Sequence, residues 1–426
     1  MGTNQPQPNV FSRLTGLCEE YPRPFWVLMA GTFIDRFGTN LIMPFLAIYV
    51  AQRFHVQITQ IGIVFTIFAI SGAAGNMLAG ALADRFGRRL TLVLGMVGAA
   101  TARIGLGMAS DMSMLYVAAG FAALFGSVGW PAQLAMTADL IGPEKRANGF
   151  GIQRVIINST FALGPMIGGV LGPAIGYLPL FVLDALTSYL VAFVVFRDLP
   201  ETRPENRAGQ SAENFEKTMA GYGQILRDGP FMLFVLVAML AVTAYLQMST
   251  TLSLFLIKFQ HLPESFFGAL VMLNALMVVF TQFSVSRWAS KRPPFLMMLV
   301  GAGLYLVGFG AYGLPVNIPI YVIAMILITG GEMLFIPTSQ ALIALFAPED
   351  MRARYVAAER FTWIIAQAFG PFGAGVIMDR YDPRWVWAAC AILCSVSVVG
   401  FYVLHLYVDK QLVSRQVAAT QPVSAG

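Results

Sequence analysis

Two carboxyl groups stand where an unpaired charge is expensive. Asp35 lies about eleven residues into an apolar run that begins near Phe25, and Glu332 about thirteen residues into a later one. At ~1.5 Å per helical residue these depths are ~17 Å and ~20 Å, near the middle of a ~30 Å hydrocarbon layer. A charge there costs ~2.5–3.5 kcal/mol even on the lenient insertion scale, so each acid should face a cavity or a partner. Burial and neighbouring groups are how a carboxyl is tuned to load and unload protons near neutral pH. Asp35 and Glu332 are therefore the candidates for proton coupling. The structural alternatives are a pair between Asp35 and Arg36 or Arg154, and a neutral Glu332 hydrogen-bonded to a neighbour. Adjacent helical residues point ~100° apart, so Asp35 and Arg36 do not both aim straight into one cavity. Arg154 and Arg360 either reach back to the headgroups or hold anionic parts of a ligand. Arg103 and Asp184 are read as structural, and Asp139 and Glu359 as nearer to gating.

The elements that carry these groups are long and apolar. Of 426 residues, 57% are hydrophobic and 12% charged, about half the charge of a soluble domain. In water such a chain would expose large apolar patches. The net charge of +5 is spread in short runs between apolar segments rather than gathered on one polar face, which argues against a nucleic-acid partner. Cys18, Cys390 and Cys394 form no CxxC pair, and His55, His261 and His405 stand near segment ends. No metal site is expected, and the last two cysteines are read as packing residues. No metalloprotease, phosphate-loop or clustered His/Cys pattern is present, so neither an enzyme nor a catalytic residue is expected. Residues 1–23 are polar and Pro-rich, and no cleavable signal peptide is expected ahead of the first span.

Apolar runs of about 20 residues predict twelve helices. They cover 24–51, 57–83, 90–109, 114–141, 149–172, 179–197, 230–258, 264–287, 295–314, 319–346, 353–378 and 384–408. The polar stretch 198–229 reads as a linker, so the expected organisation is a segment 1–23, a six-helix bundle 24–197, the linker, a second bundle 230–408 and a tail 409–426. With the N-terminus placed inside, 19 of the 27 Lys and Arg residues fall on one side of the spans and four on the other. That bias puts both termini in the cytoplasm. The halves also repeat at a constant offset of 206: Pro24/Pro230, Phe25/Phe231, Gly62/Gly268, Gly95/Gly301, Gly107/Gly313, Pro131/Pro337, Arg154/Arg360, Gly164-Pro165/Gly370-Pro371 and Gly169/Gly375. Parallel six-helix repeats are one architecture of secondary transporters, with substrate held near the midplane.

Between the second and third spans stands Gly80-Ala81-Leu82-Ala83-Asp84-Arg85-Phe86-Gly87-Arg88-Arg89. It resembles the signature loop of the major facilitator superfamily, and the resemblance implies that family's fold: an all-α membrane protein of twelve transmembrane helices in two pseudo-symmetric six-helix bundles. The glycines at 80 and 87 are expected to allow a close helix approach and a tight turn. In the family the motif's acid and second arginine, here Asp84 and Arg88, form a cytoplasmic gate with an acid ending the fourth helix, here Asp139. The gate set is thus Gly80, Asp84, Arg85, Gly87, Arg88 and Asp139, and the latch would hold the outward-facing state. In the second half, Ser290-Lys291-Arg292-Pro293-Pro294 lacks the acid and the glycine. Gly164-Pro165-Met166-Ile167-Gly168-Gly169 resembles the core of the family's antiporter helix motif, carried by Gly164, Pro165, Gly168 and Gly169, with Thr160 where a small residue is usual. Gly38 and Pro44 have a spacing seen in the twelve-helix drug/proton antiporters. A departure is Ala122 before Gly126, where that group has an arginine in the fourth span, so the proton path here differs or uses Arg154.

The resemblance places the first, fourth, seventh and tenth helices around the substrate cavity. Asp35, Arg36, Trp130, Gln133, Arg154, Tyr245, Gln247, Glu332 and Gln340 are its candidate residues. The 33 Phe, 22 Met and 14 Tyr are mostly packing and lipid-facing groups that also suit an adaptable pocket. The preferred expectation is proton-coupled efflux of hydrophobic or amphipathic small molecules by alternating access. No cofactor is expected beyond the proton gradient. The partners are the small-molecule substrate, protons and the lipid bilayer, in a bacterial inner membrane, with the protein a monomer. The alternatives are a specific carrier for a sugar, metabolite or lipid and, in another class, a membrane-embedded enzyme or a channel. The sequence names neither the substrate nor the coupling ion.

Overall fold

Backbone N–H and C=O groups in lipid have no water to bond, so apolar spans fold as helices that satisfy their own. The computed structural model describes residues 20–202, 225–315, 317–348 and 351–408, and within them leaves out the side chains of Asp84, Pro143, Ala147, Arg352 and Ala353. Segments 1–19, most of the linker and the tail from 409 onward lie outside the described residues. Twelve described helices are long and apolar enough to cross a bilayer. They are α1 (Arg23–Phe54), α2 (Ile58–Phe86), α3 (Arg88–Met108), α4 (Met112–Asp139), α5 (Arg146–Ile175) and α6 (Tyr177–Asp198), then α7 (Gly229–Phe259), α8 (Glu264–Ala289), α9 (Pro294–Tyr312), α10 (Ile318–Phe346), α11 (Arg352–Arg380) and α12 (Trp385–Tyr407). Each predicted span has its helix.

Two helices are irregular. A 3₁₀ turn at Met43–Phe45 divides α1, because Pro44 brings no N–H to the ladder. A π turn at Phe255–Phe259 ends α7. Caps set several starts. Asp111 accepts from the Met114 N–H at 2.9 Å and Asn317 from the Ile320 N–H at 3.2 Å, one repeat apart. Asp111 lies outside the spans, and the Met114 N–H, with the Ser110 hydroxyl beside it, holds its carboxyl below the ordinary aspartate range. Helix α6 shows why the spans sit as they do: Asp184 and Ser188 are fully buried, while Leu186, Leu190 and Phe193 are exposed at helical spacing, as a lipid-facing stripe requires.

The repeat read from sequence reappears as equivalent contacts. A β-carbon on Gly62 would lie 2.8 Å from the Pro371 carbonyl, and one on Gly268 2.6 Å from the Pro165 carbonyl. Gly107 meets the Phe181 ring and Gly313 the Trp387 side chain, again 206 apart on both sides. His55 and His261, also repeat-related, both take the left-handed conformation just after a helix end, where histidine is tolerated better than most residues.

The contacts divide the chain into two compact units. One takes Met1–Asn40, Ser71–Thr160 and Leu178–Glu205. Its α3 and α4 pack along each other. Its buried core gathers Tyr21, Phe25, Leu28, Leu92, Met136 and Val195. The other takes Leu41–Ile70, Phe161–Tyr177 and Asn206–Gly426. There α9 packs against α10 and α12, and α7 against α11 and α12. The second unit thus also holds the ends of α1, α2 and α5 that lie away from the chain termini.

Candidate functional site

In the first unit, Asp35 is not paired as either sequence alternative had it. Its partners come from α3 and α6. The Ser188 hydroxyl donates to Asp35 Oδ1 at 2.7 Å, and Arg103 Nη2 stands 3.8 Å from the same oxygen. Arg103 Nη2 also donates to Ser188 Oγ at 2.8 Å, while Arg103 Nε makes a 2.5 Å ion pair with Asp184 Oδ2. The Thr39 hydroxyl donates to Asp184 Oδ1 at 3.4 Å. Asp184 is wholly buried, Arg103 is 8% exposed at its side chain, and Asp35 is 19% exposed. The cluster therefore runs from a sealed end at Asp184 to an accessible end at Asp35.

Arg36 goes elsewhere, as the helical angle requires. Its guanidinium lies 5.0 Å from the centre of the Trp130 ring on α4, a cation–π placement. Gln133 donates to the Thr32 hydroxyl of α1, and Asn40 donates to Thr160 at 3.0 Å. Thr160, which departs from the glycine usual there, thus ties α5 to α1. Arg154 is exposed.

In the second unit, Glu332 Oε2 accepts from Asn274 Nδ2 of α8 at 2.7 Å, and Tyr245 is a further hydrogen-bond partner. Asn274 also donates to Thr329 at 3.0 Å. Among the described residues no Lys or Arg makes an ion pair with Glu332. Tyr245 meets the Trp363 ring edge-on at 6.0 Å, and Trp363 Nε1 donates to Glu359 at 2.9 Å. Two acids, a tyrosine and a tryptophan thus form one connected set. Gln247 is turned into its own helix, bonding the Thr243 carbonyl and Thr251. Gln340 is exposed.

Of the gate residues, Arg88 and Asp139 form an ion pair. Gly87 takes φ 85°, which a residue with a β-carbon adopts only with strain. A carboxylate that the sequence reading placed in the linker 198–229 completes this turn: Glu201 accepts from the N–H groups of Arg88 and Arg89, capping α3 at 2.8 and 3.2 Å. Arg85 stacks over Phe86 at 5.3 Å. Among the described residues no atom lies within 4 Å of a β-carbon placed on Gly80, so the close approach expected there is not made by them. The Asp84 side chain lies outside the described residues. In the α5 motif, Gly168 abuts the Leu41 carbonyl of α1 and Gly169 the Glu264 carbonyl of α8. Gly164 is buried, and the Pro165 carbonyl is the atom that Gly268 packs against.

Sequence reasoning gave Arg103 and Asp184 only structural roles and passed over Ser188 and Asn274. One signal was present. Measured from the terminal face, Asp35, Arg103 and Asp184 lie ~18, ~22 and ~21 Å along their helices, so three charges share one level. Among the described residues no group of three or more His, Cys, Asp or Glu is arranged to hold a metal ion. Cys390 and Cys394 are buried free thiols.

Comparisons with known proteins agree with this architecture. The family model described as Major Facilitator Superfamily matches residues 28–371 and 297–424. A protein of Planococcus maritimus named as a Na(+), Li(+), K(+)/H(+) antiporter is 26% identical over 423 residues, covering 93% of this chain and 99% of its own length. Multidrug resistance protein 1 of Bacillus subtilis is 27% identical over 183 residues, 42% of this chain and 46% of its own. The crystal structure of the nucleoside transporter NupG superposes with a TM-score of 0.77 at 12% identity, covering 90% of this chain and all of that one. At that identity the likeness speaks for the fold.

Proposed function

This chain belongs to the Major Facilitator Superfamily, and from that premise we propose that it exports hydrophobic or amphipathic small molecules in exchange for protons. The observation that carries the proposal is a partly buried carboxyl at mid-span depth in each half, Asp35 and Glu332, each with a carboxyl oxygen held by a neutral donor from another helix. Such a group can exchange a proton for a ligand without crossing the hydrocarbon as a bare charge. The Tyr245–Trp363 edge contact beside Glu332 supplies apolar faces for a ligand of variable shape. The antiporter-type glycines on α5, and a relative named for multidrug resistance, favour export.

The mechanism is alternating access by the bundles 24–197 and 230–408, joined through 198–229, in a bacterial inner membrane with both termini cytoplasmic and the protein a monomer. Protonation from outside releases the ligand, and proton loss inside permits reloading. The Arg88–Asp139 pair acts at the cytoplasmic gate. A second reading is exchange of monovalent metal cations for protons. It is favoured by the relative of that name, which this chain matches nearly end to end, and by Glu332 as a carboxyl whose hydrogen-bond partners among the described residues carry no positive charge.

Liposomes with an internal pH dye test both. A gradient of a lipophilic cationic dye should drive proton movement in the wild type, and Asp35→Asn or Glu332→Gln should abolish it. Dye movement without proton flux defeats the coupling. Proton flux driven by Na⁺, Li⁺ or K⁺ gradients but not by the dye replaces the first reading with the second.

A further inference from the structure

We propose that Asp184 on α6 is a positioning residue for proton exchange at Asp35, acting by holding the Arg103 guanidinium away from it. The inference deepens the proposed function and rests on Asp35 as a proton carrier. Asp184 and Arg103 lie on α6 and α3, away from the helices expected to line the cavity, so neither needs to touch a ligand to act.

One guanidinium serves two carboxyls unequally. It is bound to sealed Asp184 at 2.5 Å and stands off from accessible Asp35 at 3.8 Å. A carboxylate in full contact with an arginine takes up a proton reluctantly, because the proton must displace a favourable ion pair. A carboxylate left alone at this depth would be costly to ionise. Asp35 stands between these two arrangements, 3.8 Å from a guanidinium that Asp184 holds through Nε. Ser188 fills the gap, accepting from Arg103 and donating to Asp35. The other charged groups near Asp35 are accounted for. Arg36 beside it is drawn onto Trp130 of α4. The described contacts from α5 and α4 to α1, Thr160–Asn40 and Gln133–Thr32, carry no charge. Gly38 gives Asp184 its place, since a β-carbon there would lie 2.7 Å from Asp184 Oδ1.

Two variants move the balance in opposite directions. Asp184→Asn keeps the shape and removes the charge, so Arg103 has Asp35 as its nearest carboxylate. Ser188→Ala removes the donor that favours the ionised form of Asp35. The experiment is the pH dependence of dye-driven proton movement in liposomes, with a thermal melt of each variant in detergent. Asp184→Asn should shift the half-maximal pH downward by ~1 pH unit or more, and Ser188→Ala should shift it upward. A structural role would lower the rate and leave both profiles on the wild type. That result, with Asp35→Asn inactive, overturns this inference alone. Proton movement in Asp35→Asn equal to wild type overturns the assignment of Asp35, and the inference with it. If Asp184→Asn fails to fold, Ser188→Ala still decides: an upward shift supports the inference and an unmoved profile overturns it.

Discussion

Asp35 and Glu332 are at similar depth on α1 and α10, helices that the repeat does not pair with each other, yet their surroundings differ in kind. The first cluster contains its own countercharge: Arg103 bridges Asp35 and Asp184, with Ser188 between. The second surrounds Glu332 with an amide, hydroxyls and aromatic rings. A buried charge left uncompensated costs several kcal/mol. The first cluster therefore carries its compensating charge among its own residues, whereas among the described residues no Lys or Arg pairs with Glu332 in the second. The repeat fixed helix packing in both halves and left the chemistry free to diverge.

The largest expected effect comes from removing the shared countercharge. Arg103→Ala strands the buried Asp184 and should destabilise the protein by ~3–5 kcal/mol. A thermal melt in detergent checks it, and a loss under about 1 kcal/mol would mean that the cluster is already neutral. Asn274→Ala, in the other cluster, should cost less, ~1–3 kcal/mol, because a neutral donor is lost beside an acid that can protonate. Equal losses in the two variants would erase the contrast. Tyr245→Phe should cost ~1 kcal/mol in stability while weakening coupled transport, since only a hydroxyl is removed from Glu332. The smallest effect is expected at the surface: Arg88→Ala opens a partly exposed pair and should change stability by ~1 kcal/mol or less. Its consequence belongs to the gate, read as a changed ratio of the two access states by cysteine labelling from either side.

Much of the fold was legible in the residues. Hydropathy runs located the spans, and even the pairs 62/268 and 107/313 reappear as equivalent packing contacts. Composition also indicated which acids would be deep. Gly80 shows what the motif left open: its type suggested a close approach, but the contact depends on which way α2 faces, and no described residue approaches it there. Arg36 shows the converse. Its divergence from Asp35 follows from helical geometry alone.

The sequence by itself determined the number of spans, the repeat and the depth of each charge, because these depend on local length, hydropathy and a fixed rise per residue. Only the tertiary structure decided that Arg103 serves Asp184 before Asp35, that Thr160 ties α5 to α1, and that Glu332 meets Asn274. Those partnerships depend on how far each helix turns about its axis and slides along its neighbour. Side chains 58 to 120 residues apart set those quantities jointly, and no local pattern records them.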